Sequence, residues 1–222
     1  MVDEIEQQMN NLRLRAVSEI DDELSQGATQ IVFGKGTVSA DIFFIGEAPG
    51  AKEDEQGVPF IGRAGQELDK MLHIIGLTLD DCYIANVLKF RPPKNRDPKR
   101  EEIEYHLPYL LEQIQIIKPK ILVPLGNYAT KLVLSNFDPH NMKSIEGMAK
   151  MHGRLFSTEF LEMKFQVFPI YHPSAMMYNG SLRQVFEEDF KKLGKFLGKQ
   201  IIDTESNKEG VKKEGEVQKT LF

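Results

Sequence analysis

Cysteine is almost missing from this 222-residue chain. Cys82 stands alone, which excludes an intramolecular disulfide and any metal site built on several thiolates. No apolar run approaches the roughly 20 residues that a membrane-spanning helix needs, and the N-terminus carries no signal-peptide pattern. A cytosolic protein is the expectation. Positive charge is not in excess either: 28 Lys and Arg stand against 33 Asp and Glu, which argues against a protein that coats nucleic acid non-specifically. There is no internal repeat. What remains is ordinary for a globular protein, with 41 % hydrophobic and 27 % charged residues and enough chain for one domain and a tail.

Periodicity predicts an amphipathic helix over residues 3–25, where Ile5, Met9, Leu12, Ala16, Ile20 and Leu24 fall near helical spacing. Ile42 to Ile45 is a short continuous apolar run ending at Gly46, the pattern of a strand buried on both faces. Helix is expected again over 66–75, then a strand over 82–88, a helix over 101–117 and a strand over 121–126 followed by a helix. A last strand over 165–171 and a closing helix over 181–197 complete the pattern. Strand and helix in alternation imply an α/β fold: three αβα layers around a central, mostly parallel four-stranded sheet. In such sheets ligands bind beyond the carboxyl ends of the strands. The loops beginning at Gly46, Lys89 and His172 all leave those ends and should converge. Residues 1–202 are thus expected to form the domain. Residues 203–222 form a Glu-, Lys- and Gly-rich tail with the composition of a disordered segment.

Overall acidity leaves room for a local basic patch. Lys89 to Arg100 holds six basic residues against one acidic residue; taken alone, it reads as a solvated loop. Three loops in sequence say more. Gly46-Glu47-Ala48-Pro49-Gly50 continues through Glu53-Asp54 to Gly57-Val58-Pro59-Phe60-Ile61-Gly62-Arg63-Ala64-Gly65. Asn86-Val87-Leu88-Lys89 leads into Arg91-Pro92-Pro93-Lys94-Asn95-Arg96. Lys118-Pro119-Lys120-Ile121 and His172-Pro173-Ser174 follow. In this order and spacing, from about Val32 to Leu193, the chain resembles the family 4 uracil-DNA glycosylases.

That resemblance implies a DNA repair enzyme that flips uracil out of DNA and hydrolyses its N-glycosidic bond, leaving an abasic site. The reaction leaves positive charge on the sugar and negative charge on the departing base, and needs no metal or cofactor. Phe60 offers a ring on which uracil can stack, although a single Phe is more often core. Asn86 can accept from uracil N3–H and donate to O4, the reverse of what cytosine presents; its ordinary alternative is to tie down a turn. His172 is expected to donate to uracil O2 as charge develops, which a neutral imidazole can do. Glu47 and Asn95 are candidates for stabilising the sugar cation and orienting water. Glu53 matches the position that would fill the space of a thymine methyl. Gly46 and Ala48 allow close backbone approach to the base, in a loop that lacks the Lys-Ser/Thr ending of a P-loop. Lys89, Arg91, Lys94, Arg96 and Ser174 are expected to meet phosphate, and Met176 and Met177 to wedge into the duplex.

Two departures from the family are visible. Its members typically carry four cysteines that hold a [4Fe–4S] cluster. Here those positions are Glu19, Asp22, Phe90 and His106, and Cys82 matches none of them, so no iron–sulfur cluster and no other metal is expected. After His172-Pro173-Ser174 the family commonly has Leu-Leu-Arg, where this chain has Met176-Met177-Tyr178. At the end of the tail, Gln218, Leu221 and Phe222 resemble a shortened sliding-clamp-binding motif. The expected partners are therefore uracil-containing DNA and, unless those residues are simply a frayed chain end, a sliding clamp, for a cytoplasmic, nucleoid-associated monomer. Two alternatives stay open: a glycosylase of the same superfamily with another or broader lesion range, such as hypoxanthine, and an inactive DNA-binding protein on the same fold.

Overall fold

The run Ile42-Phe43-Phe44-Ile45 has no polar face to offer solvent, and the strand it forms is buried along its whole length. In the computed structural model, which describes residues 2–160 and 162–202, this strand lies near the centre of a six-stranded sheet. The strands are β1 (Lys35–Gly36), β2 (Ile42–Gly46), β3 (Tyr83–Asn86), β4 (Ile121–Pro124), β5 (Phe156–Phe160) and β6 (Met163–Val167). The helices are α1 (Val2–Glu19), α2 (Glu23–Gly27), α3 (Ala51–Gln56), α4 (Arg63–His73), α5 (Arg100–Ile117), α6 (Asn127–Leu134), α7 (Met148–Met151), α8 (Ala175–Tyr178) and α9 (Leu182–Phe196).

The sheet order is β1-β3-β2-β4-β6-β5. The inner four strands run parallel, with Gly46 opposite Asn86 and Ile45 opposite Pro124. Side chains alternate across the sheet. Phe43, Ile45 and Leu122 pack with α1, α5 and α6 on one face, while Ile42, Phe44, Ile84 and Val123 pack with α4 and α9 on the other. Three αβα layers result, as expected.

The four-stranded sheet expected from sequence gains a strand at each edge. β5 pairs antiparallel with β6, and the two-residue β1 pairs antiparallel with Tyr83 and Ile84 of β3. Both cover edges that would otherwise expose unpaired backbone groups. The single helix expected over 3–25 is two. Asp22 is extended and caps α2, accepting from the Ser25 amide at 2.8 Å, while the Ser25 hydroxyl accepts from the Asp22 amide at 2.9 Å. Ile20 and Leu24 remain buried across the break, which is why apolar spacing alone does not register it.

β6 ends at Val167, short of the expected 171, yet the chain stays beside β4: Leu125 bridges to Ile170, and the Gly126 amide donates to Ile170 O at 2.8 Å. His172 is thereby delivered next to Gly126. No helix among the described residues is long and apolar enough to cross a membrane. Gln218, Leu221, Phe222 and the rest of the 203–222 tail lie outside the described residues.

Candidate active site

Because β2, β3, β4 and β6 are parallel, the loops after them meet at one end of the sheet. A cavity of about 450 Å³ opens there. Glu47, Ala48, Gly50, Glu53 and Phe60 line it from the loop after β2, Asn86, Pro92 and Asn95 from that after β3, Gly126 and Asn127 from that after β4, and His172, Ser174 and Tyr178 from the last.

The floor is set by close approach. A Cβ on Gly46 would stand 2.1 Å from Asn86 Oδ1 and 2.8 Å from the Phe60 ring, so only glycine fits. Asn86 is 2 % exposed, and its Oδ1 has no hydrogen-bond partner among the described residues. A buried acceptor left open costs about 1–3 kcal/mol, and one in a cavity wall is an acceptor waiting for a donor. Phe60 is also held at a cost: its φ is +53°, a left-handed conformation that a bulky residue rarely adopts. Two contacts enforce it. Glu53 Oε1 accepts from the Gly62 amide at 2.9 Å, and Gly65 has no Cβ where one would stand 1.8 Å from Phe60 O.

The Phe60 and His172 ring centroids are 5.8 Å apart at 45°. His172 Nδ1 lies 2.7 Å from Ser174 Oγ and 3.3 Å from the Ser174 amide nitrogen. An amide can only donate, so Nδ1 accepts and the proton of the neutral ring sits on Nε2. Burial pushes the His172 pKa down to about 4, with the Glu53 charge opposing weakly. The ring is therefore neutral near pH 7 and still carries a donor. Gly126, at φ +87°, makes room: a Cβ there would stand 3.0 Å from His172 Cβ.

Glu47 has the reverse problem. Burial, reinforced by the charge of Asp97, raises its pKa to about 7. Asp97 in turn accepts from the Tyr128 hydroxyl at 3.0 Å. Across the cavity, Arg91 Nε donates to Asn95 Oδ1 at 2.7 Å. Lys94 and Asn95 both take positive φ, a turn that brings the Asn95 side chain to the cavity.

The basic loop behaves differently from the expectation. Lys89 is fully buried, bonded to Asn86 O and Gln113, and cannot meet phosphate. Arg96 does line the cavity, but its guanidinium is committed to a two-pronged ion pair with Glu102. Lys94 is exposed and Arg91 half-buried. Met176 packs into the α4/α9 core at 8 % exposure, which removes it as a wedge, whereas Met177 is 37 % and Tyr178 88 % exposed. Sequence reasoning missed Tyr178, Gly126, Asn127 and the Asp97–Tyr128 pair. Gly126 was findable, as a glycine directly after a strand whose end must face the site.

The model of the uracil DNA glycosylase superfamily matches residues 33–194. The chain belongs to that superfamily. It is 46 % identical over 172 residues to the type-4 uracil-DNA glycosylase of Sulfurisphaera tokodaii, spanning 77 % of this chain and 76 % of that protein. It is 42 % identical over 177 residues to the type-4 enzyme of Archaeoglobus fulgidus, spanning 80 % and 87 %. With that of Saccharolobus solfataricus it shares 43 % identity over 170 residues, spanning 76 % and 77 %.

The cluster that the resemblance implies does not fit the residues present. His106 Nδ1 accepts from the Lys89 amide at 2.8 Å and Nε2 faces Asp22 Oδ2 at 3.0 Å, so both ring nitrogens are used. Phe90 is buried with its ring edge-on to His106, at a centroid distance of 6.1 Å. The Glu19 carboxylate accepts from the Tyr109 hydroxyl at 3.1 Å. Cys82 is buried on the opposite face of the sheet, among the α4/α9 core. Among the described residues, no group of three or more His, Cys, Asp or Glu is placed to hold a metal ion.

Proposed function

We propose that this protein removes uracil from DNA by hydrolysing the N-glycosidic bond of a flipped deoxyuridine, as a monofunctional repair glycosylase. The observation that carries this reading is the open, buried Oδ1 of Asn86 in the cavity wall beside Phe60 and His172. Uracil N3–H supplies the donor that Oδ1 lacks, and the amide NH₂ meets O4; cytosine N3 would set acceptor against acceptor. The ring stacks on Phe60. His172 Nε2–H donates to O2 as negative charge leaves with the base, without needing a second proton. Glu47, once ionised, favours the sugar cation and orients water with Asn95. Glu53, strapped to the Phe60 loop, guards the C5 side against thymine. Gly46 and Ala48 bring the backbone up to the base.

Arg91 and Lys94, which pair with no carboxylate among the described residues, are assigned to phosphate, with Met177 and Tyr178 as the duplex wedge. The Ser174 hydroxyl, directed at His172, serves the imidazole tautomer before any phosphate. The reading includes no iron–sulfur cluster, supported by the single cysteine and by the hydrogen bonds that occupy Asp22 and His106. It also includes a monomer recruited to chromosomal DNA by a clamp through Gln218, Leu221 and Phe222, supported by the sequence alone.

The deciding experiment uses labelled oligonucleotides carrying uracil opposite guanine, uracil opposite adenine, single-stranded uracil, hypoxanthine or thymine, followed by alkaline cleavage of abasic sites. Scission at uracil and not at thymine is expected. Binding without scission, or scission at hypoxanthine alone, would overturn the reading. Iron analysis of the same preparation should find no stoichiometric metal.

A further inference from the structure

Lys89 is fully buried and lines no part of the cavity. Its ammonium donates to the main-chain carbonyl of Asn86 at 2.9 Å and to Gln113 Oε1 at 2.7 Å, and stands 5.7 Å from the centre of the Phe33 ring. Neither acceptor is an anion, and no carboxylate pairs with it among the described residues. Gln113 is itself buried and fixed by its other end: Nε2 donates to Phe33 O at 3.0 Å and to the Tyr83 hydroxyl at 3.2 Å. The Lys89 backbone is clamped too, with its amide donating to His106 Nδ1 and its carbonyl accepting from the Val32 amide.

Burying an ammonium against neutral groups is costly, and an apolar side chain of similar volume would fill the space without that cost. A donor is what the apolar side chain would lack. The place where a donor is needed is the end of β3. On its inner side the ladder continues, with the amides of Val87 and Leu88 donating to Gly46 O and Glu47 O. On its outer side β1 pairs only with Tyr83 and Ile84, so the carbonyl of Asn86 lies beyond its reach. Lys89 Nζ takes that carbonyl. Burial pushes the Lys89 pKa down to about 7, which leaves this function intact, because a neutral amine still donates.

We infer that Lys89 is a positioning residue for base recognition: its buried Nζ, steadied by Gln113, fixes the backbone of Asn86 and through it the amide that reads uracil. This rests on the reading of Asn86 proposed above. The basic residue at the head of the loop thus acts on the base from behind the sheet, not on phosphate.

The test is a double-mutant cycle on the full-length protein, read as single-turnover excision per active molecule. Lys89→Met should slow uracil excision about 10- to 100-fold, the worth of two buried hydrogen bonds. It should also narrow uracil-over-cytosine discrimination while leaving affinity for abasic-site product DNA unchanged. In an Asn86→Ala background, the same substitution should have no further effect on rate. Lys89→Gln, which keeps one donor, should recover part of the loss, and it carries the test if Lys89→Met does not fold. Equal fold-losses with and without Asn86, or a lowered Tm with unchanged rate and discrimination, would overturn the inference. If the wild-type protein does not excise uracil, the functional reading fails instead, which the cycle reports separately.

Discussion

The cavity and the clasp around His106 treat polar groups in opposite ways. At the cavity, Asn86 Oδ1 is left open, Phe60 holds a left-handed backbone, and Glu47 sits where its charge is unwelcome. Around His106 the polar atoms close on one another: Asp22 caps α2 and faces His106, which takes the Lys89 amide, while the hydroxyls of Tyr105 and Tyr109 donate to Glu19. An open group and a strained residue each cost about 1–3 kcal/mol, tolerable only because the two faces of the sheet bury Phe43, Phe44, Phe186 and Phe190 completely. Lys89 lies on the seam, with its amide bonded to the clasp and its ammonium to the site.

The largest test of that contrast lies in the cavity. Replacing His172 with Ala should lower the single-turnover rate about 10²- to 10³-fold, the usual worth of a donor aimed at a developing anion. Asn86→Leu should slow uracil excision by a similar factor, yet leave Tm unchanged or raised, because it deletes an open buried acceptor. A large fall in Tm would show that Asn86 belongs to the fold rather than to the ligand.

Glu47 gives a pH signature. With its pKa raised to about 7, the folded protein keeps a proton between pH 4.5 and 7 that the unfolded chain has lost. Ionising it therefore costs stability as pH rises through that window. If the carboxylate is the working form, kcat/KM should climb about tenfold per pH unit below 7 and level off above. Glu47→Gln should remove that limb and raise Tm above pH 7. An unchanged limb would assign the titration to another group.

Tyr178→Ala should weaken binding to uracil-containing duplex about tenfold, the lower range for one stacked contact, and affect single-stranded substrate less. Met176→Ala should instead lower Tm, since that side chain is core. The clasp should give the smallest effect on chemistry. Asp22→Ala removes an N-cap and leaves His106 without its partner, for about 2–3 kcal/mol and a Tm lower by about 5–10 °C. Excision per folded molecule should stay as it was. A rate that falls with it would make the clasp part of the site.

How much of this was legible beforehand follows from the range over which each signal acts. The parallel strands showed because strands buried on both faces must be continuously apolar, and the cavity loops because strand ends in such a sheet converge. The break at Asp22 did not, since burial continues through it. The added edge strands were equally hidden, β1 being only two residues long. Charge misled at Lys89: a lysine in a basic run is usually solvated, and only the neighbourhood of Gln113 and Asn86 reveals otherwise. Met176, expected at the duplex, is core instead because a short helix turns it inward and Tyr178 outward.

The sequence by itself determined the layered α/β architecture, three of the loops that line the cavity and the shortage of thiolates, because periodicity, residue type and composition are local properties of the chain. Tertiary structure alone decided which polar atoms are left open, which way His172 holds its proton and which basic residues reach solvent. Those depend on distances between segments far apart in the chain, such as Gly46 to Asn86 and Lys89 to Gln113, and on burial that no single segment encodes.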